Sequence, residues 1–117
     1  MLAAFADAPG RSSEIDELLL RGGDLIWNAG ALAKGAGLCH GTGGNGYAFL
    51  KLYRQTGDVQ WLTRARAFAM MAISQFQAHR EHYGRCRYSL WTGDLGVAVY
   101  LLDCIDGTSD FPTIDCL

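Results

Sequence analysis

From Asp58 to about His79, the residues Trp61, Leu62, Ala65, Phe68, Ala69, Ala72, Ile73 and Phe76 recur at steps of three and four. Arg64, Arg66, Gln75 and Gln77 lie mostly off that stripe. Such spacing puts the apolar positions on one side of a helix, and Asp58 is a suitable cap, so the pattern predicts a surface helix with one buried face. A second stretch, Ser13 to Ala33, opens with Ser12 or Ser13 as cap and places Glu14, Asp16 and Glu17 in the first turn, where negative charge suits the helix dipole. Ile15, Leu18, Leu19, Leu25 and Ile26 give it an amphipathic pattern. Gly22 and Gly23 weaken that helix by about 1 kcal/mol each and can break it.

Two further segments, Gly44 to Gln55 and Gly93 to Asp106, are apolar on nearly all sides. A helix of that kind is packed on every side. A buried parallel strand is the competing reading; the lengths and the lack of a β-branched majority favour helix. The two segments match each other. Leu38-Cys-His-Gly41-Thr-Gly-Gly44 aligns with Leu90-Trp-Thr-Gly93-Asp-Leu-Gly96 at a constant offset of 52 residues, which Leu50 and Leu102 keep. The repeat is therefore a glycine turn, a buried helix and an outer helix. Units of this sort cannot bury their faces alone and generally occur three or more together. Scarcely two are present.

Composition narrows the class. The 117 residues suffice for one small domain, and half of them are hydrophobic against 19% charged, which favours a packed core over disorder. Fifteen glycines with two prolines point to tight turns or close helix packing. A net charge of −2 gives no reason to expect nucleic acid or an anionic membrane as partner. Met1 to Pro9 lacks a basic region and carries Asp7, unlike a secretory leader, and no apolar run reaches the length of a membrane span. Cys39, Cys86, Cys104 and Cys116 show no CxxC spacing, so in a leaderless chain they read as reduced thiols or metal ligands. Those features predict a cytoplasmic protein.

Cys39 and His40 are adjacent, within Lys34-Gly-Ala-Gly-Leu-Cys-His-Gly-Thr-Gly-Gly-Asn45. On a regular helix, neighbouring side chains point about 100° apart. A glycine-rich turn removes that restriction, and thiolate with imidazole is a ligand pair that zinc prefers. Spacing alone leaves two readings open: metal ligation, or a structural cysteine beside a hydrogen-bonded histidine.

The surrounding motifs resemble those of the LanC-like (lanthionine synthetase C-like) proteins. Gly37-Leu-Cys-His-Gly-Thr-Gly-Gly-Asn-Gly-Tyr-Ala-Phe-Leu50 is similar to the zinc motif of that family. Gly23-Asp-Leu-Ile-Trp27, Lys34-Gly35, Tyr88-Ser-Leu-Trp-Thr-Gly-Asp-Leu-Gly96 and Phe111-Pro-Thr-Ile-Asp115 follow in family order. The resemblance covers residues 22–117 as the C-terminal portion of a member, leaves 1–21 as an unassigned, partly helical segment, and in Trp91-Thr-Gly-Asp94 looks closer to bacterial members. It implies an all-α fold, part of an α/α toroid built from helical hairpin repeats of a double α-barrel. It also implies zinc held by two cysteines and a histidine with one position open. There a thiol is activated for addition to a dehydroamino acid in a peptide, the thiol being a peptide cysteine or glutathione.

Carried over residue by residue, the resemblance makes Cys39 and His40 metal ligands and Lys34 a substrate-binding residue. Arg85 or Arg87 corresponds to a later substrate-facing arginine, Arg85 being the first choice. The remaining cysteine ligand and the acid–base histidine and aspartate lie in an earlier repeat of the family. The zinc site is therefore incomplete in this chain, no catalytic residue is assigned within it, and catalysis by it alone is left open. The rival expectations are a non-catalytic fragment or subunit that needs the missing N-terminal part of the toroid, and a glutathione- or peptide-binding module without chemistry. Cys86 reads as a loop thiol, Cys104 as a small core residue and Cys116 as exposed. His79 and His82 suit a helix C-terminus, Asn45 reads as the cap of the inner helix, and Trp61, Phe68 and Phe76 read as packing.

Overall fold

A computed structural model describes residues 10, 12–113 and 115. They fold as α1 (Ser13–Ala29), α2 (Thr42–Thr56), α3 (Val59–Tyr83) and α4 (Asp94–Asp106). The protein is all-α, as its periodicity predicts. The expectations for Met1 to Pro9 and for Cys116 fall outside the described residues.

The longest helix, α3, begins where Asp58 accepts the Gln60 N–H at 2.9 Å and ends at Gly84 in the left-handed region, φ 63°. Its stripe buries Trp61, Leu62, Ala65, Phe68, Ala69 and Ala72, most of it against α2. Phe49 of α2 stacks on Trp61 and meets Phe68 edge-on at 4.9 Å. Tyr47, Phe49, Leu50, Phe68 and Tyr100 are fully buried and form the centre of the core.

Contrary to the expected weakening, α1 runs unbroken through Gly22 and Gly23. Gly23 is a packing residue: a Cβ there would collide with Leu52 and with the Trp61 ring, 2.7 Å away. The close approach to α2 and α3 more than offsets the helix propensity lost. The helix stops at Ala29, four residues before the expected end, because Gly30 turns to φ 69°. Of the apolar residues in its amphipathic pattern, Leu18 and Leu25 are exposed, whereas Ile15, Leu19 and Ile26 pack inward.

Both inner helices start as the repeat predicts, α2 after Gly41 and α4 after Gly93. Asn45 is not the cap; it lies inside α2 and donates its N–H to the Gly41 carbonyl at 3.2 Å. Only α2 is packed on nearly all sides. On α4, Val97, Tyr100 and Cys104 are buried, but Leu95, Leu102 and Ile105 are exposed. The even spread of apolar residues on α4 therefore exceeds what the described chain covers. No helix among the described residues is long and apolar enough to cross a membrane.

Candidate metal centre and adjoining cavity

The turn before α2 is built from main chain. Gly35, at φ 97°, presents its carbonyl to the Thr42 N–H at 2.9 Å; the carbonyls of Ala36 and Gly37 take the N–H groups of Gly43 and Gly44. These bonds satisfy helix-start donors that side chains usually cap. They bring backbone against backbone so closely that a Cβ at Gly41 would strike the Gly35 and Gly37 carbonyls, and one at Gly44 the Leu38 carbonyl. The second unit repeats the device at the same offset: Asp94 N–H donates to Arg87 O at 2.8 Å, and Gly93 and Gly96 back onto the Arg87 and Leu90 carbonyls. The two turns are also joined, Cys39 N–H to Trp91 O, at 2.8 Å.

Cys39 and His40 stand exposed at the apex of the first turn, with Sγ 3.8 Å from Nε2. Bond lengths of about 2.3 and 2.05 Å at a tetrahedral zinc place a sulfur and a nitrogen ligand about 3.6 Å apart. The pair thus has the donor types and very nearly the separation that two ligands of one ion require. Among the described residues no cluster of three or more His, Cys, Asp or Glu surrounds such an ion. Cys86 is half-buried and joins no such cluster, and Cys104 is buried on α4, where burial pushes its thiol up to about 11.

Beside the pair lies a cavity of about 360 Å³ between the two turns and the C-terminal half of α3. Lys34, His40, His79, Arg87, Trp91 and Asp94 are on its wall. Lys34 is on this wall. Arg87 lines the cavity, while Arg85 is exposed and is not among the lining residues. The Asp94 carboxylate accepts the Arg87 backbone N–H at 2.6 Å, and the wall carries the cationic side chains of Lys34 and Arg87 beside that one carboxylate. Gln75 ties the floor together, accepting from the Thr42 hydroxyl at 2.6 Å and donating to Leu32 O at 3.0 Å.

His79 lies near the end of α3, as the sequence predicts, and also lines the cavity, which sequence reasoning did not give. Its ring packs on Tyr83 at 4.5 Å near the helix end, and both residues face the cavity. A signal existed in the spacing of Phe76, His79 and Tyr83, which continues the α3 stripe beyond the core. Phe76, read as packing, is half-buried and also lines the cavity, while Trp61 and Phe68 are core as expected.

The family model for lanthionine synthetase C-like protein matches residues 10–116. A Danio rerio protein named glutathione S-transferase LANCL1 is 38% identical over 104 residues, covering 82% of this chain and 24% of the relative. An Arabidopsis thaliana protein named LanC-like protein GCL1 is 34% identical over 119 residues, covering 95% of this chain and 26% of that relative. The chain spans about a quarter of the length of these curated relatives. No solved structure matches it significantly.

Proposed function

The chain belongs to the lanthionine synthetase C-like family, and on that footing we propose that it supplies part of a zinc centre that activates a thiol for addition to a dehydroamino acid in a peptide. Cys39 and His40 are the ligands it provides. When bound, zinc stabilises a coordinated thiol as the thiolate at neutral pH. The observation that carries this reading is the 3.8 Å approach of Sγ and Nε2 at the rim of a cavity that Lys34 and Arg87 line.

The chain's own residues bind and orient. Lys34 and Arg87 offer charge-assisted hydrogen bonds to carboxylates of the thiol substrate, and Trp91 provides an apolar wall. Glutathione, which carries two carboxylates, suits that wall, and the name of the fish relative, a glutathione S-transferase, points the same way. Cyclisation of a peptide by its own cysteine is the alternative within the family, favoured by the bacterial-looking Trp91-Thr-Gly-Asp94. The relatives above are animal and plant proteins. A cytoplasmic setting suits free thiols.

The third ligand and the acid–base groups come from repeats outside this chain. One observation favours dependence on them. At the 52-residue offset, Leu95, Ala98, Leu102 and Ile105 correspond to Gly43, Gly46, Leu50 and Tyr53. That face of α2 is covered, with Tyr100 on Gly46 and Gly107 beside Tyr53. The matching face of α4 is open. A third repeat of the toroid would close it, each large aliphatic buried there contributing about 1.5–3 kcal/mol.

The test is metal content of the chain combined with the N-terminal three-quarters of the fish relative. One zinc per complex, lost on Cys39→Ala and on His40→Ala, is expected. Zinc that survives both substitutions would sink the assignment.

A further inference from the structure

We propose that the C-terminal residues Phe111 and Asp115 form a strap that sets the position of the Cys39 turn, with Asp115 as a positioning residue acting through Phe111 and Trp91. This rests on the reading of Cys39 as a metal ligand.

The strap is anchored from the core. Lys51 lies in the middle of α2 with its side chain 2% exposed, and its Nζ donates to Asp115 Oδ2 at 2.8 Å. A buried ammonium requires such a partner, because desolvating an unpaired charge is costly. Asp115 Oδ2 also accepts the Phe111 N–H at 2.6 Å, and the Asp115 N–H returns to Phe111 O at 3.0 Å. These bonds close a short loop that fixes the Phe111 ring.

That ring stands between two elements. It meets Tyr47 of α2 edge-on, with centroids 4.8 Å apart, and faces the Trp91 ring at 5.9 Å. Tyr47 cannot yield, since it is fully buried and its hydroxyl donates to Asp103. Trp91 is the repeat-equivalent of Cys39, and its carbonyl is the acceptor for the Cys39 N–H. Gly37 presses on the same carbonyl: a Cβ there would lie 2.9 Å from Trp91 O. A displacement of Phe111 therefore frees Trp91, and with it the hydrogen bond that orients Cys39.

The experiment is amide hydrogen exchange by NMR on the 117-residue chain, comparing Asp115→Asn and Phe111→Leu with the unsubstituted protein. Core amides of α3, around Ala65 and Ala69, report global opening. The strap predicts that the Cys39 amide exchanges about tenfold faster in the variants while the α3 amides change little, the size expected for weakening one hydrogen bond. Asp24→Ala, which removes an ion pair with Arg64 away from the strap, leaves the Cys39 amide unchanged. An unaltered Cys39 amide, or an equal rise at every amide, would overturn the proposal. Should Asp115→Asn fail to fold, Phe111→Leu carries the same comparison. Cobalt(II) titration of the same chain combined with the N-terminal three-quarters of the fish relative, read as the thiolate charge-transfer band that Cys39→Ala removes, separates the two readings. A selective rise at Cys39 with no cobalt band leaves the strap and removes the metal role. A cobalt band at unchanged exchange does the reverse.

Discussion

Replacing Gly46 by Ala ought to stabilise an ordinary helix by up to about 1 kcal/mol, since glycine is the poorer helix former. Here the sign reverses. The added Cβ would overlap the Tyr100 hydroxyl and the ring carbon that carries it. Tyr100 has nowhere to go: it is fully buried, its ring lies 5.2 Å from that of Tyr47, and its hydroxyl donates to Ala65 O at 2.7 Å. Overpacking costs about 1–3 kcal/mol, and the buried Tyr100 hydroxyl left without its acceptor about 1–3 more. Set against the propensity gain of up to about 1 kcal/mol, the net loss is about 1–5 kcal/mol. Urea unfolding followed by far-UV circular dichroism measures it. Gly57→Ala serves as the control, because that glycine has φ 69° but open space around it, so only backbone strain is added. Adding Tyr100→Phe to Gly46→Ala removes the nearest clashing atom and should recover part of the loss. A Gly46→Ala protein as stable as the parent would refute the tight seating of α4 on α2, and with it the reasoning from the covered face of α2 to the open face of α4.

Other expectations follow from the same contacts. Burial raises the Asp115 carboxyl, but the hydrogen bonds from Lys51 and the Phe111 N–H, with the charges of Lys51 and Arg54, hold it below its usual range. A depressed carboxylate stabilises the fold above its unfolded value of about 4 and loses that contribution as pH falls through the lower folded value, so the strap should release only below about pH 4. Phe111 and Asp115 amide shifts followed from pH 6 to 2 check this, and release already at pH 5–6 would contradict it. The Cys104 thiol, pushed up to about 11 mainly by burial, is fully protonated at pH 8 and should resist iodoacetamide while exposed Cys39 is labelled. Peptide mass spectrometry after graded alkylation decides, and labelling of the two at equal rates would be against it. Leu102→Glu, on the open face of α4, should leave the stability of the chain within about 0.5 kcal/mol yet prevent association with the N-terminal portion of a relative. Size-exclusion chromatography reads the complex, and unchanged association would place that portion elsewhere.

The helices and their turns were legible in the sequence because they depend on local rules. The α3 stripe, the Asp58 cap and the glycine turns ahead of α2 and α4 rest on periodicity, side-chain chemistry and glycine's lack of a Cβ. Cys39 and His40 were legible as neighbours on a glycine turn of seven residues, whereas the Trp91 carbonyl that takes the Cys39 N–H was not. The long-range partners were not. Gly23 read as a helix breaker until Leu52 and Trp61 were seen beside it, and Lys51 gave only the hint of a charge inside an apolar run.

What the sequence determined by itself is thus an all-α chain of repeated units with a Cys–His turn before the first inner helix. The tertiary structure alone decided that Arg87 and His79 join Lys34 around one cavity, that the C-terminal strap leans on the turn through Trp91, and that α4 keeps an apolar face open. The physical reason is distance along the chain. Backbone propensity acts within a few residues, whereas burial and ion pairing depend on which helices meet, and Lys51 and Asp115 lie 64 residues apart.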